Sequence, residues 1–319
     1  MTTQEHDHAD RAKRGHAPAV STGSARRVPF AGIALAAVGL LWMAAMLWSA
    51  RATITGRADA ETEVVATAYA LPGIVSAALV AGAALALAVL GLAGRRARGT
   101  SARFAVTTGT GLALGALGAV PIITINTAGW VYAVAGGTVA AAATIGGALA
   151  GFREPRVVAA ACWAAIAVFA VGFTLNVVQT PLLDAFGAGG TSASQTSAAG
   201  WFSLTQSVLG GLAAGAVSFT VLRRSAGEPL RWPLYAVAGA GPGLLLALTE
   251  ALARTAGARV LDLAGRVSEL ELTVQRMLGG ARLNSAMIVV FVGAITAIVL
   301  LGRTLGPARD DRDTAAAEA

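Results

Sequence analysis

The feature that most constrains this chain is a succession of apolar runs, each roughly twenty residues long, the helix length that crosses the hydrocarbon core of a bilayer. They fall at 30–50, 70–94, 104–125, 129–151, 157–178, 200–222, 233–253 and 284–302. Composition agrees: 55% of the 319 residues are hydrophobic and 13% are charged, against about a quarter charged in an ordinary soluble domain. The expected fold class is an all-α integral membrane protein with eight transmembrane helices. Three central hairpins are flanked by two helices, with an extracytoplasmic amphipathic helix before the last span.

The expected division of the chain follows these runs. Residues 1–29 form a disordered cytoplasmic tail, 30–253 a seven-helix transmembrane region, 254–283 the amphipathic helix, 284–303 the last span and 304–319 a cytoplasmic tail. The first span follows Arg26-Arg27 and exceeds the apolar core of a secretory signal, so it reads as a retained signal-anchor helix.

Charge sets the expected orientation. The net charge of +7 is carried almost wholly by arginine, and the basic residues cluster in alternate connections, "RRARGTSAR", "REPR" and "RRSAGEPLR", and in the tails. Cytoplasmic loops hold such an excess, which predicts a plasma-membrane protein with both termini in the cytoplasm. The lipid bilayer accounts for the basic balance, and no nucleic-acid partner is expected.

Several chemistries are disfavoured by residue type. His6, His8 and His16 all lie in the N-terminal tail, so no span offers an imidazole for haem, a catalytic metal or a proton relay. Glu5, His6, Asp7 and His8 sit together there, but a solvated tail fixes no ligand geometry. Cys162, the one cysteine, lies in an apolar run and reads as a small buried residue. "GTGLALG" falls inside a span rather than after a strand, so it is no nucleotide loop. No metal spacing, nucleophilic triad or paired carboxylates occur, and neither enzyme activity nor a cofactor is expected.

A short motif repeats. Ala128-Gly129-Trp130 and Ala199-Gly200-Trp201 each open an apolar run that ends in a basic, Glu-Pro-containing loop. Both read as hairpin starts, with Trp130 and Trp201 in the interfacial belt. Gly111 with Gly115, Gly136-Gly137, Gly146-Gly147 and Gly210-Gly211 supply small surfaces for close helix approach.

Polar residues inside spans are the candidate functional groups: Asn126, Asn176, Gln179, Gln206 and Glu250, all towards the outer ends of their helices. Glu250 is placed to pair with Arg254 at i,i+4, or to attract a cation into an outward vestibule with Asn176 or Gln206. Pro242, between Gly241 and Gly243, predicts a kink or break in the seventh span. In 254–283, Val260, Leu263, Val267, Leu270, Val274 and Met277 alternate at spacings of three and four. That is a seam for a homodimer or another membrane protein, or a stripe laid on the chain's own bundle. Arg266 and Glu271 flank it as an expected interhelical ion pair.

Two function classes remain as expectations. The first is a non-catalytic scaffold or accessory subunit of a membrane assembly. The second is a small-solute transporter with a broken seventh helix and an outward vestibule near Glu250.

Overall fold

The computed structural model describes residues 27–55, 60–93, 99–126, 129–225, 230–267 and 269–304. Among them every element is a helix. Eight are long and apolar enough to span a membrane: α1 (Arg27–Thr55), α2 (Ala60–Ala93), α3 (Thr100–Ile123), α4 (Trp130–Ala150), α5 (Pro155–Val177), α7 (Ser192–Arg224), α8 (Trp232–Thr255) and α10 (Glu269–Gly302). Two short helices, α6 (Gln179–Ala185) and α9 (Ala258–Val267), lie in the connections. Pro155 begins α5 at the first turn, where its missing N–H loses no hydrogen bond. The acidic-histidine tail and Glu228-Pro229 lie outside the described residues.

The eight spans divide into two groups of four with one contact scheme. In the first group α1 packs on α2, α3 on α4, and α2 beside α4. In the second α5 packs on α7, α8 on α10, and α7 beside α10. The pairs also share direction. Tyr132 of α4 donates to Glu63 of α2 at 2.7 Å, while Gly146, later in α4, abuts Leu79, later in α2, so these helices run parallel. Likewise Gly211 and Gly215 of α7 abut Val292 and Thr296 of α10. Both halves therefore hold their fourth helix parallel to the second and antiparallel to the third.

Glycine makes this possible, because helices can approach backbone to backbone only where a Cβ is missing. A Cβ at Gly82 of α2 or Gly111 of α3 would overlap the Ala143 carbonyl of α4, and one at Gly146 would overlap that of Leu79. In the second half a Cβ at Gly239 of α8 would overlap the Gly293 carbonyl of α10, and the reverse holds too. The fourth helix is the hub of each half.

The halves meet along α2, the most deeply buried span. Its run of alanines lets it be covered on several faces: Ala77, Ala78, Ala81, Ala83, Ala84 and Ala86 are all buried. Leu35, Val80, Ala83 and Ala84 from the first half close against Cys162 and Ala165 of α5. At the other end of the bundle Arg51 Nη1 of α1 donates to the Pro121 carbonyl of α3 at 2.6 Å and to Thr124 Oγ1 at 3.0 Å.

Trp130 of the first Ala-Gly-Trp copy opens α4 as expected, but Trp201 of the second lies within α7, which starts at Ser192, and α4 and α7 are not counterparts between the halves. Trp130 is 48% exposed and Trp201 57%, so both rings face outward, consistent with an interfacial belt. The three hairpins exist in the connectivity. Yet α4 and α5, joined by the Glu154-Pro155 turn, belong to different halves and barely touch.

Three helices overrun the apolar runs. α2 starts at Ala60, α7 at Ser192 and α10 at Glu269, and their 34, 33 and 34 residues far exceed the sequence-defined spans. At 1.5 Å per residue each is roughly 50 Å long, beyond a hydrocarbon core of roughly 30 Å. All three overhangs lie at the end opposite the basic connections. Thr191 caps α7 by accepting from the Ser194 N–H at 3.3 Å.

The expected single amphipathic helix over 254–283 is divided. α8 runs to Thr255, α9 folds across the bundle end, and residues from Glu269 onward belong to the continuous α10. A Cβ at Gly265 would meet Leu272, so α9 doubles back against the start of α10. Pro242 does not unwind its helix either: α8 is helical throughout, with Gly241 against Ala161 and Gly243 against Ala286 and Val290.

Candidate functional site

Between the halves, at the end away from the basic connections, lies a cavity of about 490 Å³. The first half contributes Trp42 and Met46 of α1 and Tyr69, Pro72, Gly73 and Ser76 of α2. The second adds residues of α5, α7, α8 and α10, among them Ser203, Gln206, Thr249, Glu250, Arg282 and Ser285. From Arg282 to Val289 along α10 the cavity descends about 10 Å by helical rise. Of the overhangs, that of α10 contributes Leu278, Ala281 and Arg282 to the wall and that of α2 contributes Tyr69.

Glu250 is its electrostatic centre. The residue is only 5% exposed, and burying a carboxylate in an apolar bundle requires a partner. Arg254, one turn on, donates Nε to Oε1 at 2.7 Å, as the i,i+4 spacing predicts. Arg282 of α10 reaches Oε2 through Nη1 at 3.4 Å. Both carboxylate oxygens thus face guanidinium groups. Of the two roles expected for Glu250 the structure has the pairing with Arg254, and two positive charges surround one negative charge.

Two glycines shape this arrangement. A Cβ at Gly279 of α10 would lie 2.7 Å from Glu250 Oε1 and 2.8 Å from Arg254 Nη2, so only glycine lets the pair lie against α10. Gly280, its neighbour, has nothing nearby. Gly279→Val should therefore displace the ion pair and lower the unfolding temperature, while Gly280→Val should leave it near wild type. Equal melting of the two purified variants would remove this role for Gly279. At Gly172 of α5 a Cβ would fall 2.8 Å from Gln206 Nε2, so the Gln206 amide rests on bare backbone.

The sequence candidates separate cleanly. Glu250 and Gln206 line the cavity. Asn176 and Asn126 are exposed near the ends of α5 and α3, and neither they nor Gln179 lines it. Pro242 is buried beneath it and is not a wall residue. The seam residues also divide. Val260 is fully buried against Ala68 of α2 and Val131 of α4, with Leu263 packed on the same cluster. Leu270 and Met277 are 74% and 70% exposed on α10, Val274 is half-buried, and the Val267 side chain lies outside the described residues. No continuous three-heptad stripe survives, because α9 and α10 are separate helices. Arg266 pairs with Asp262 at 2.9 Å, and Glu271 accepts from Gln275 at 2.9 Å and from Tyr69 at 3.4 Å.

Arg282, Trp42 and Gly279 are the site residues that sequence reasoning missed. Arg282 stood in a stretch taken as a separate surface helix, and its position inside α10 is what aims it at Glu250. Trp42 stacks near Phe169 of α5, with ring centroids 4.6 Å apart, and its buried indole N–H has no hydrogen-bond partner among the described residues. No group of three metal-ligating side chains occurs among the described residues. Comparison with protein-family models, curated proteins and solved structures finds no match to this chain.

Proposed function

We propose that this protein is a small-solute transporter of the plasma membrane, with both termini cytoplasmic, that loads its substrate from the extracytoplasmic side into the cavity between its halves. The single observation that carries the reading is the cavity itself. It joins two four-helix units of like contact scheme, holds a buried charged cluster, and is closed below by contacts between the units. Repeated units around a shared site are the usual frame for alternating access. Its volume lies within the roughly 300–1,000 Å³ typical of small-molecule pockets.

The orientation rests on the arginine-rich connections, which favour the cytoplasmic side. A scaffold or accessory subunit is the second reading. It is favoured by the close packing around Pro242, where Gly241 lies on Ala161 and Gly243 on Ala286 and Val290.

Native Cys162 separates the two. It lies in the seal between the halves, on the cytoplasmic side of the cavity. If the halves rock, a membrane-impermeant thiol reagent should label Cys162 slowly, and only from the cytoplasmic face. In a Cys162→Ala background, Ser203→Cys should be labelled only from the opposite face. Labelling at position 203 with none at Cys162 would sink transport and leave the scaffold reading. Labelling of Ser203→Cys from the cytoplasmic face would overturn the orientation.

A further inference from the structure

Beside the cavity lies a second hollow. A groove of about 660 Å³ runs between α1, from Met46 to Thr53, and α2, from Thr62 to Ile74. Met46, Tyr69 and Gly73 line both hollows, so the two lie side by side. Their chemistries differ. The groove is walled by Ala50, Val65, Ala66, Ala70 and Ile74, and the Thr53 hydroxyl is turned to its own helix, donating to the Ser49 carbonyl at 2.8 Å. The cavity carries the charge.

The charge around that cavity is in positive excess, two guanidinium groups against one carboxylate. Both Glu250 oxygens are engaged by Arg254 and Arg282. Arg282 spends only Nη1 on Glu250, and its other N–H groups have no hydrogen-bond partner among the described residues. The Gln206 amide makes no hydrogen bond among the described residues and rests on the bare backbone of Gly172. Glu271, the nearby acid, is held by Gln275 and Tyr69 and is not a wall residue. A group that only accepts, and carries negative charge, completes this set, because guanidinium forks bind acid oxygens with strong charge-assisted bonds.

Resting on the cavity reading above, we infer that the substrate is a single-chain anionic amphiphile. Its acid group is bound by Arg282 among the donors of the cavity, and its chain lies in the α1–α2 groove. A compact soluble anion would satisfy the donors and leave the groove empty. A neutral chain would fill the groove but forgo the charge-assisted bonds that Arg282 offers.

The test uses the full chain in phosphatidylcholine nanodiscs with a dodecanoate probe carrying a diazirine near its chain end. On irradiation, label should concentrate on residues 46–53 of α1 and 62–74 of α2. Excess dodecanoate should suppress it, whereas dodecylamine and benzoate should not. Arg282→Gln should reduce labelling about tenfold, the scale of one lost charge-assisted contact. Leu117→Ala, on the outward face of α3, should label fully. If Arg282→Gln does not fold, Arg282→Lys, which keeps the positive charge and gives up the guanidinium fork, should weaken labelling about threefold.

Suppression by dodecylamine as strong as by dodecanoate would overturn the anionic assignment. Suppression by benzoate as strong as by dodecanoate would overturn the amphiphile and leave the solute cavity standing. Label spread evenly over outward-facing helices, and indifferent to Arg282→Gln, would overturn the whole inference. Thiol labelling at Cys162 judges transport separately.

Discussion

Gly293→Leu should be among the most damaging single substitutions in this protein, lowering its stability by upwards of about 3 kcal/mol, since overfilling a packed core already costs roughly 1–3 kcal/mol when only side chains must yield. At Gly293 the obstacle is the backbone of α8. A Cβ there overlaps the Gly239 carbonyl and comes within 3.4 Å of Ala214 on α7. Two helix contacts would open together. That loss is a large share of the roughly 5–15 kcal/mol that holds a typical domain folded. Gly146→Leu should do the same in the first half, where the Leu79 carbonyl occupies the space. Gly137→Leu is the matched control, because that glycine has nothing within 4 Å. Thermal unfolding of the three purified variants reads the prediction. If Gly293→Leu melts with Gly137→Leu, the hub assignment of α10 fails.

Glu250→Ala should have the second-largest effect, a loss of about 2 kcal/mol. Removing one member of a buried ion pair costs about 3–5 kcal/mol, because the remaining charge is stranded. Here the lower figure applies, since the Arg254 and Arg282 side chains are 47% and 33% exposed and water takes up part of the loss. The expected sign can be isolated by a second change. In the Arg282→Gln background one of the two stranded cations is already gone, so Glu250→Ala should cost less there than in the wild-type chain. Chemical or thermal unfolding of the four proteins gives the comparison. Strictly additive losses would show that Glu250 and Arg282 do not interact, and the 3.4 Å contact would carry no energy.

How much of this could be read in advance differs from residue to residue. The Glu250–Arg254 pair was legible because both groups lie on one helix, four residues apart, where geometry is fixed by helical rise alone. Arg282 was not. It is thirty-two residues from Glu250, and nothing local says that α10 starts at Glu269 rather than near residue 284. The overhangs of α2, α7 and α10 were missed for a similar reason. Hydropathy marks where a helix meets lipid, and stretches such as "TSASQTS" and "SELELTVQR" continue as helix beyond that point.

The seam was legible only as a surface. Its three-four spacing described an amphipathic surface correctly, but spacing cannot say whether the partner is another chain or the same one. Val260 finds α2 and α4, and the helix break after Val267 divides the remainder. The proline in α8 likewise signalled a lost N–H, yet tight glycine contacts with α5 and α10 surround a helix that stays unbroken.

The sequence by itself determined that this is an eight-span helical membrane protein, because span length and apolarity are local properties set by the thickness and dryness of the bilayer. It determined the alternation of basic connections for the same local reason. The grouping of eight spans into two like halves was decided only in the tertiary structure. In lipid all apolar helix faces are nearly equivalent, so partners are chosen by where backbones can touch. That choice brought Gly82, Gly146, Gly239 and Gly293 into the contacts, and it left Glu250, Arg282, Gln206 and Trp42 around one cavity.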